Sequence, residues 1–204
     1  MQTIKCLEAI DSRRSIRKFE EQPVPQEYLE RIIEAARQAP SGTNRQPWRF
    51  VLLQGDDRGK IAGSVVQPFV VQAPAIFVCC IDHRAFVRTM VEERMKELVT
   101  AEVVSKEAAG YIYQQKMPEK PEEVVIPASG YLDLGIAIQN MALAATALGL
   151  GSCWVRLFNP AKVHEALGLP AEIEAVVLLP VGYPGQFPQP RPRLSRDEIM
   201  IEPT

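Results

Sequence analysis

Apolar positions change their spacing several times along the chain, and each change marks a predicted element. Ile4, Leu7 and Ile10 recur at helical intervals, which predicts a first helix from Thr3 to Ser12. After Pro23-Val24-Pro25, Leu29, Ile32, Ile33 and Ala36 put one apolar face on a second helix from Gln26 to Gln38, with Glu27 and Glu30 near its positive end. Phe50 to Leu53 and Ala75 to Ile81 are continuous apolar runs, the pattern of strands buried on both faces. Between them Gly55-Asp56-Asp57 reads as a turn and Arg58 to Val66 as a short helix. From 82 to 127, Met90, Met95, Leu98, Val99 and Val103 are spread among charges, predicting a helical excursion from the core that is either a lid over a pocket or an exposed hairpin.

Ser129 to Leu148 is small or apolar nearly all round, with Ser129 placed to cap it and Gly149 to stop it, so a central helix of about 30 Å is expected. Asp133, Gln139, Asn140 and Thr146 interrupt the run and argue for a buried helix over a membrane span. Such a helix needs partners on several faces, and a second copy of the chain could supply some of them. Gly151 to Leu157 is predicted as a third strand. Asn159-Pro160 opens a helix that ends at Gly168, and Ile173 to Val181 is a fourth strand. The proline-rich tail from Gly182 is expected to be an extended arm, with Ile199 to Ile201 its one candidate for edge pairing. Helices and strands alternate without a strict βαβ cadence, which predicts a single α+β domain over residues 1–204, a small and mainly antiparallel sheet surrounded by helices.

Composition narrows the function. A formal net charge of −2 argues against a general nucleic-acid or membrane-surface role, both of which need a basic field. The N-terminus lacks the uninterrupted apolar segment of a signal peptide, so a cytoplasmic chain starting at Met1 is expected. Cys6, Cys79, Cys80 and Cys153 show no CxxC spacing and read as free thiols, and Cys79 and Cys80 would point to opposite faces of one strand. With only His83 and His164 present, neither a zinc site nor a histidine triad has members, and any chemistry must proceed without a conventional histidine base. No GxGxxG follows a strand and no P-loop motif occurs.

Two features exceed structural need. The loop APSGTNRQPWRF from Ala39 to Phe50 sets Pro40, Gly42 and Pro47 among Ser41, Thr43, Asn44 and Gln46, a shaped connection whose polar groups could bond a flat ligand. Arg13, Arg14, Arg17 and Lys18 crowd around Ser15 and Ile16, more cations than a helix C-terminus uses, and Arg191, Arg193 and Arg196 form a second cluster in the tail. Two basic clusters in an acidic protein suggest a shared anion.

Taken together, RRSIRKF, APSGTNRQPWRF, LGLGSCWV, LPVGYP and RPRLSRDEI occur in the order in which they resemble the nitroreductase family of flavin enzymes. The resemblance spans the chain and is weakest over 82–127. It implies an α+β homodimer with FMN at the interface and an extended C-terminal arm. It assigns Arg13, Arg14, Ser15 and Arg17 to the FMN phosphate or ribityl chain, with Arg193 and Arg191 closing on the phosphate. Pro40, Ser41, Gly42, Asn44 and Gln46 would meet the ring and ribityl groups, Pro40 to Gly42 reaching the partner's flavin, and the backbone of Val155, Arg156 and Leu157 would face the ring near N5. Here the chain departs from the family, since Arg156-Leu157 stand where many members carry glycine. The implied activity is ping-pong hydride transfer from NADH or NADPH to a nitroaromatic, quinone or other flat acceptor, with the cofactor carrying the chemistry and no catalytic side chain required. Reductive dehalogenation, flavin cleavage and a non-catalytic flavin-sensing dimer are the alternatives within the fold.

Overall fold

A computed structural model describes residues 5–203. Four strands lie in the order β1-β2-β4-β3, with β1 Trp48–Gln54, β2 Ala75–Asp82, β3 Gly151–Ser152 and β4 Ile173–Gly182, and all strand pairs are antiparallel. β2 lies inside the sheet between β1 and β4, and every one of its residues is buried, as its unbroken apolar run requires. Alternation along β2 sends Ala75, Phe77, Cys79 and Ile81 into one core and Ile76, Val78 and Cys80 into another. Cys79 and Cys80 thus sit on opposite faces, and burial raises both thiols, Cys80 to about 12.

The first core is closed by α2 (Gln26–Arg37) and the central helix α6 (Ala128–Ala147). Leu29, Ile32 and Ala36 are fully buried in α2, whereas Ile33, assigned to the same face, is 36% exposed. The second core lies under the 3-10 segment Gly55–Ser64 and α7 (Pro160–Leu167). α7 begins and ends as its sequence demands: the Asn159 side chain accepts from the Lys162 N–H, and Gly168 takes the left-handed conformation at the C-terminus.

Several boundaries differ from expectation. α1 spans Cys6–Ser12 and buries Ala9, but leaves Leu7 74% and Ile10 50% exposed, while the Thr3 to Ile4 part of the predicted helix lies outside the described residues. α6 is entered from Pro127 with no side-chain cap, so Ser129 is not the N-cap, and Gly149 at φ 78° ends it as expected. The third strand pairs over two residues only, because after Ser152 the chain leaves the ladder and touches β4 again at the Val155–Leu178 bridge. Ile199 to Ile201 form no strand. A single turn, α8 (Arg196–Ile199), forms there, closed by reciprocal Ser195 and Glu198 bonds.

Within 82–127, α4 (Arg88–Thr100) and α5 (Lys106–Tyr113) pack as a pair, while Ala85, Phe86, Val87 and Val124 of the same range join the first core. α3 (Phe69–Gln72) leads into β2.

Candidate functional site

The basic segment divides by face. Ile16 is buried and its N–H donates to Ser152 O at 2.9 Å, which lays residues 13–17 alongside β3. Ser15 and Arg17 therefore point away from the core. Arg13, Ser15 and Arg17 all act on Cys153: burial raises that thiol, while Arg17, a Ser15 hydrogen bond and Arg13 lower it. Among the described residues Arg13 and Arg17 form no ion pair; Arg17 Nη1 reaches only Ser15 O at 3.4 Å, so both cations keep donors for an external anion. Arg14 differs, since its Nη1 donates to Asp11 O at 2.7 Å and to Arg13 O at 2.9 Å across the end of α1. Arg17 also lines a cleft of about 660 Å³ with Lys18, Phe19, Arg58 and Phe69.

The loop is more strained than its glycine suggested. Positive φ falls on Thr43 (55°), Asn44 (53°) and Gln46 (51°), not on Gly42. Left-handed backbone at three non-glycine residues costs on the order of 1–3 kcal/mol each unless its surroundings hold it. They do: Ser41 Oγ accepts the Gln46 N–H at 2.9 Å, Gln46 Nε2 donates to Asn44 O and Oδ1, and the Gly42 N–H donates to Asp133 Oδ1 at 3.1 Å. Asp133 is 4% exposed in α6 and fixes the loop from 91 residues away. Pro47 and Trp48 are buried, and Pro47 O accepts the Asp82 N–H at 2.8 Å.

Asp82 anchors the far side of this loop. It is fully buried and takes hydrogen bonds from Arg84 N, Nε and Nη2, with Arg49 Nη2 at 2.8 Å. Burial raises its pKa, but the Arg84 bonds and the attraction of Arg49 and Arg84 outweigh it and hold the carboxyl below its usual value. A depressed folded pKa contributes stability above the unfolded value of about 3.9 and loses it as pH falls through the folded one. Asp82→Asn is therefore expected to cost about 1.5–3 kcal/mol at neutral pH, toward the lower end because both guanidinium groups are about half exposed. Denaturant melts from about pH 7 down to about pH 3 should show the gap to wild type closing; a gap independent of pH would refute the assignment.

The two halves of the site are not together within one chain. The loop meets the Asp82 end of β2, whereas the basic segment meets the other end, where Gly182 packs on Pro74 and Phe19. At about 3.3 Å per residue β2 separates them by roughly 20 Å. Arg191 and Arg193 are exposed in the arm, and among the described residues no hydrogen bond or ion pair joins them to Arg13, Ser15 or Arg17. The arm does leave the sheet beside that segment: Glu20 N donates to Tyr183 O and Gly185 N to Lys18 O. Val155 is buried, Arg156 and Leu157 are exposed, and Arg156 shares a small cavity with Tyr131 and Trp154.

The sequence model of the Nitroreductase family matches residues 10–183. The chain belongs to the nitroreductase family. Among similar proteins, a 5,6-dimethylbenzimidazole synthase of Rhodospirillum rubrum is 32% identical, over 90% of this chain and 83% of that protein. An FMN reductase [NAD(P)H] of Bacillus subtilis is 29% identical, over 98% of this chain and 74% of that protein. A protein of Exiguobacterium sibiricum crystallised in complex with FMN has the same fold, with a TM-score of 0.78 at 22% identity over 100% of this chain and 99% of that one. No helix among the described residues is long and apolar enough to cross a membrane.

Two contacts are not legible in the sequence. Asp133 reads there only as an interruption of an apolar helix, yet it holds the Gly42 amide, and the contact of Arg45 with Phe86 has no local signal, because both partners are distant in sequence.

Proposed function

We propose that this chain is an FMN-dependent NAD(P)H oxidoreductase, working as a homodimer whose interface holds the cofactor. The observation that carries the reading is the segment of residues 13–17 alongside β3, in which Arg13 and Arg17 form no ion pair among the described residues and Arg17 lines a cleft. These residues fit a phosphorylated flavin, since guanidinium forks match phosphate oxygens and no carboxylate among the described residues occupies them. Bound FMN supplies hydride acceptance from the nicotinamide and onward transfer to a flat second substrate.

The chain's own residues bind and orient. Arg13, Ser15 and Arg17 hold the phosphate end, Arg193 and Arg191 close on it from the arm, and Arg14 contributes backbone alone because its side chain is committed to α1. Pro40 to Gly42, Asn44 and Gln46 serve the site of the partner, which resolves the roughly 20 Å between the two halves along one β2. The backbone of Val155, Arg156 and Leu157 borders the ring, and the exposed Arg156 leaves a cation where a glycine would leave space.

Purified protein should be yellow and bleach under anaerobic NADH or NADPH. Protein that stays oxidised with excess of both would support the flavin-sensing alternative, and protein that takes up no FMN would remove both. Arg17→Ala should weaken FMN binding about ten- to a hundredfold, the worth of one charge-assisted bond of about 1.5–3 kcal/mol. Equilibrium titration of apoprotein with FMN reads it, and an unchanged affinity would discard the phosphate assignment.

A further inference from the structure

Arg45 stands in the middle of the loop, with its guanidinium carbon 4.7 Å from the centroid of the Phe86 ring. Its Nε is buried with no hydrogen-bond partner, and no ion pair within 4 Å joins it to any carboxylate among the described residues. Burial lowers its pKa, and Asp133 offsets this from beyond bonding distance. Arg49 and Arg84 are spent on Asp82, and Arg94 pairs with Glu97 through Nη1 while its Nε, like that of Arg45, is buried without a partner. Of these four arginines Arg45 is the one with no carboxylate partner among the described residues.

Its position joins two different surfaces. On one side is the polar cleft of about 480 Å³ that contains Arg49, Arg84 and Arg94. On the other is a cavity of about 300 Å³ roofed by the excursion, with Phe86, Val91, Ile112, Met117 and Val124 in its wall. An unsatisfied planar cation at the mouth of an apolar cavity matches a ligand with an apolar body and one acidic group. A single unpaired fork suits a carboxylate, which it can meet bidentately, and the other arginines of the cleft each already face a carboxylate. The cation–π contact with Phe86 helps to hold the guanidinium in place, so less freedom is lost on binding.

We propose that Arg45 anchors the carboxylate of an aromatic or other apolar acid whose body enters the cavity under α4 and α5, making such acids the preferred second substrates. This rests on the oxidoreductase reading, because Arg45 belongs to the loop assigned to the flavin. Thr43 of that loop lines the same cavity, so a ligand held there lies against the segment that borders the cofactor.

Calorimetric titration of the purified, FMN-loaded protein with 2-naphthoate and with its neutral isostere 2-naphthamide tests the assignment without any redox step. Wild type should bind the acid about ten- to a hundredfold tighter than the amide. Arg45→Gln should abolish that preference, and Arg45→Lys, which keeps the charge but loses the fork, should retain only part of it. Phe86→Leu, which leaves the fork and removes its aromatic contact, should weaken naphthoate more than naphthamide. Equal affinities for acid and amide in wild type, or an undiminished preference in Arg45→Gln, would overturn the proposal. Protein that takes up no FMN yet prefers naphthoate in an Arg45-dependent way would sink the oxidoreductase reading and leave the carboxylate site standing.

Discussion

Leu7→Glu combined with Leu132→Glu should yield a monomer that no longer retains FMN. Leu7 is 74% and Leu132 64% exposed, so neither change removes core packing from the chain itself. What they sit on is a surface with unmet apolar area. α6 packs on α2, α1 and the sheet, yet Leu132, Ile136, Gln139 and Leu143 recur at i, i+4, i+7 and i+11 and none of them is fully buried. Exposed Ile10 in α1 and Phe187, Leu194 and Ile201 in the arm enlarge the unburied set. In a two-fold dimer each substitution acts twice. Four leucine side chains at about 1.5–3 kcal/mol each would lose burial, and carboxylates would take their place. That is enough to dissociate most interfaces. Light scattering on the eluting protein gives the mass and visible absorbance gives the flavin. A variant that stays dimeric and yellow would show that these faces are not the interface. A monomer that binds FMN as wild type does would show that one chain suffices, which the roughly 20 Å between the site's halves argues against.

The fold was legible where one element's pattern had one cause. β2 is apolar at every position because both of its faces are covered, and α7 carries its own start and stop in Asn159, Pro160 and Gly168. The outer face of α1 was only half legible: Leu7 and Ile10 announce a helix, but their spacing cannot say that the chain itself leaves both of them exposed. The short third strand shows the same limit. Trp154 and Leu157 look like strand residues, yet they are exposed, because β3 sits at the sheet edge and the chain turns away after Ser152. In the candidate site, Arg13 and Arg17 were visible as part of a cluster of cations around Ser15, while the separate fate of Arg14 depends on the end of α1. The loop's strain fell on Thr43, Asn44 and Gln46, because Asp133 holds the Gly42 amide and so decides where the turn must bend.

Gly151→Ala should destabilise the protein and displace the basic segment of residues 13–17 together. A Cβ at Gly151 would stand 2.3 Å from Ile16 Cγ1 and 2.8 Å from its Cβ, closer than packed atoms tolerate. Ile16 is 2% exposed and cannot swing outward, and its backbone is bonded to Ser152, the residue after the substitution. The strain must therefore move the strand that carries Arg13, Ser15 and Arg17. Overpacking of this kind costs about 1–3 kcal/mol, occasionally more. For a chain of this size each kcal/mol lowers Tm by about 2–4 °C, so a fall of several degrees is expected. Gly59→Ala is the control, since a Cβ there meets nothing within 4 Å and the backbone is not left-handed; its Tm should stay near wild type. The decisive measurement is FMN affinity at low temperature, where Gly151→Ala is still folded. If the basic strand is the phosphate site, affinity falls there although the fold persists, and it falls in the same direction as in Arg17→Ala. A variant that loses several degrees of Tm but binds FMN as wild type does would separate the Ile16 contact from the cofactor, and the phosphate would have to be held by the arm alone.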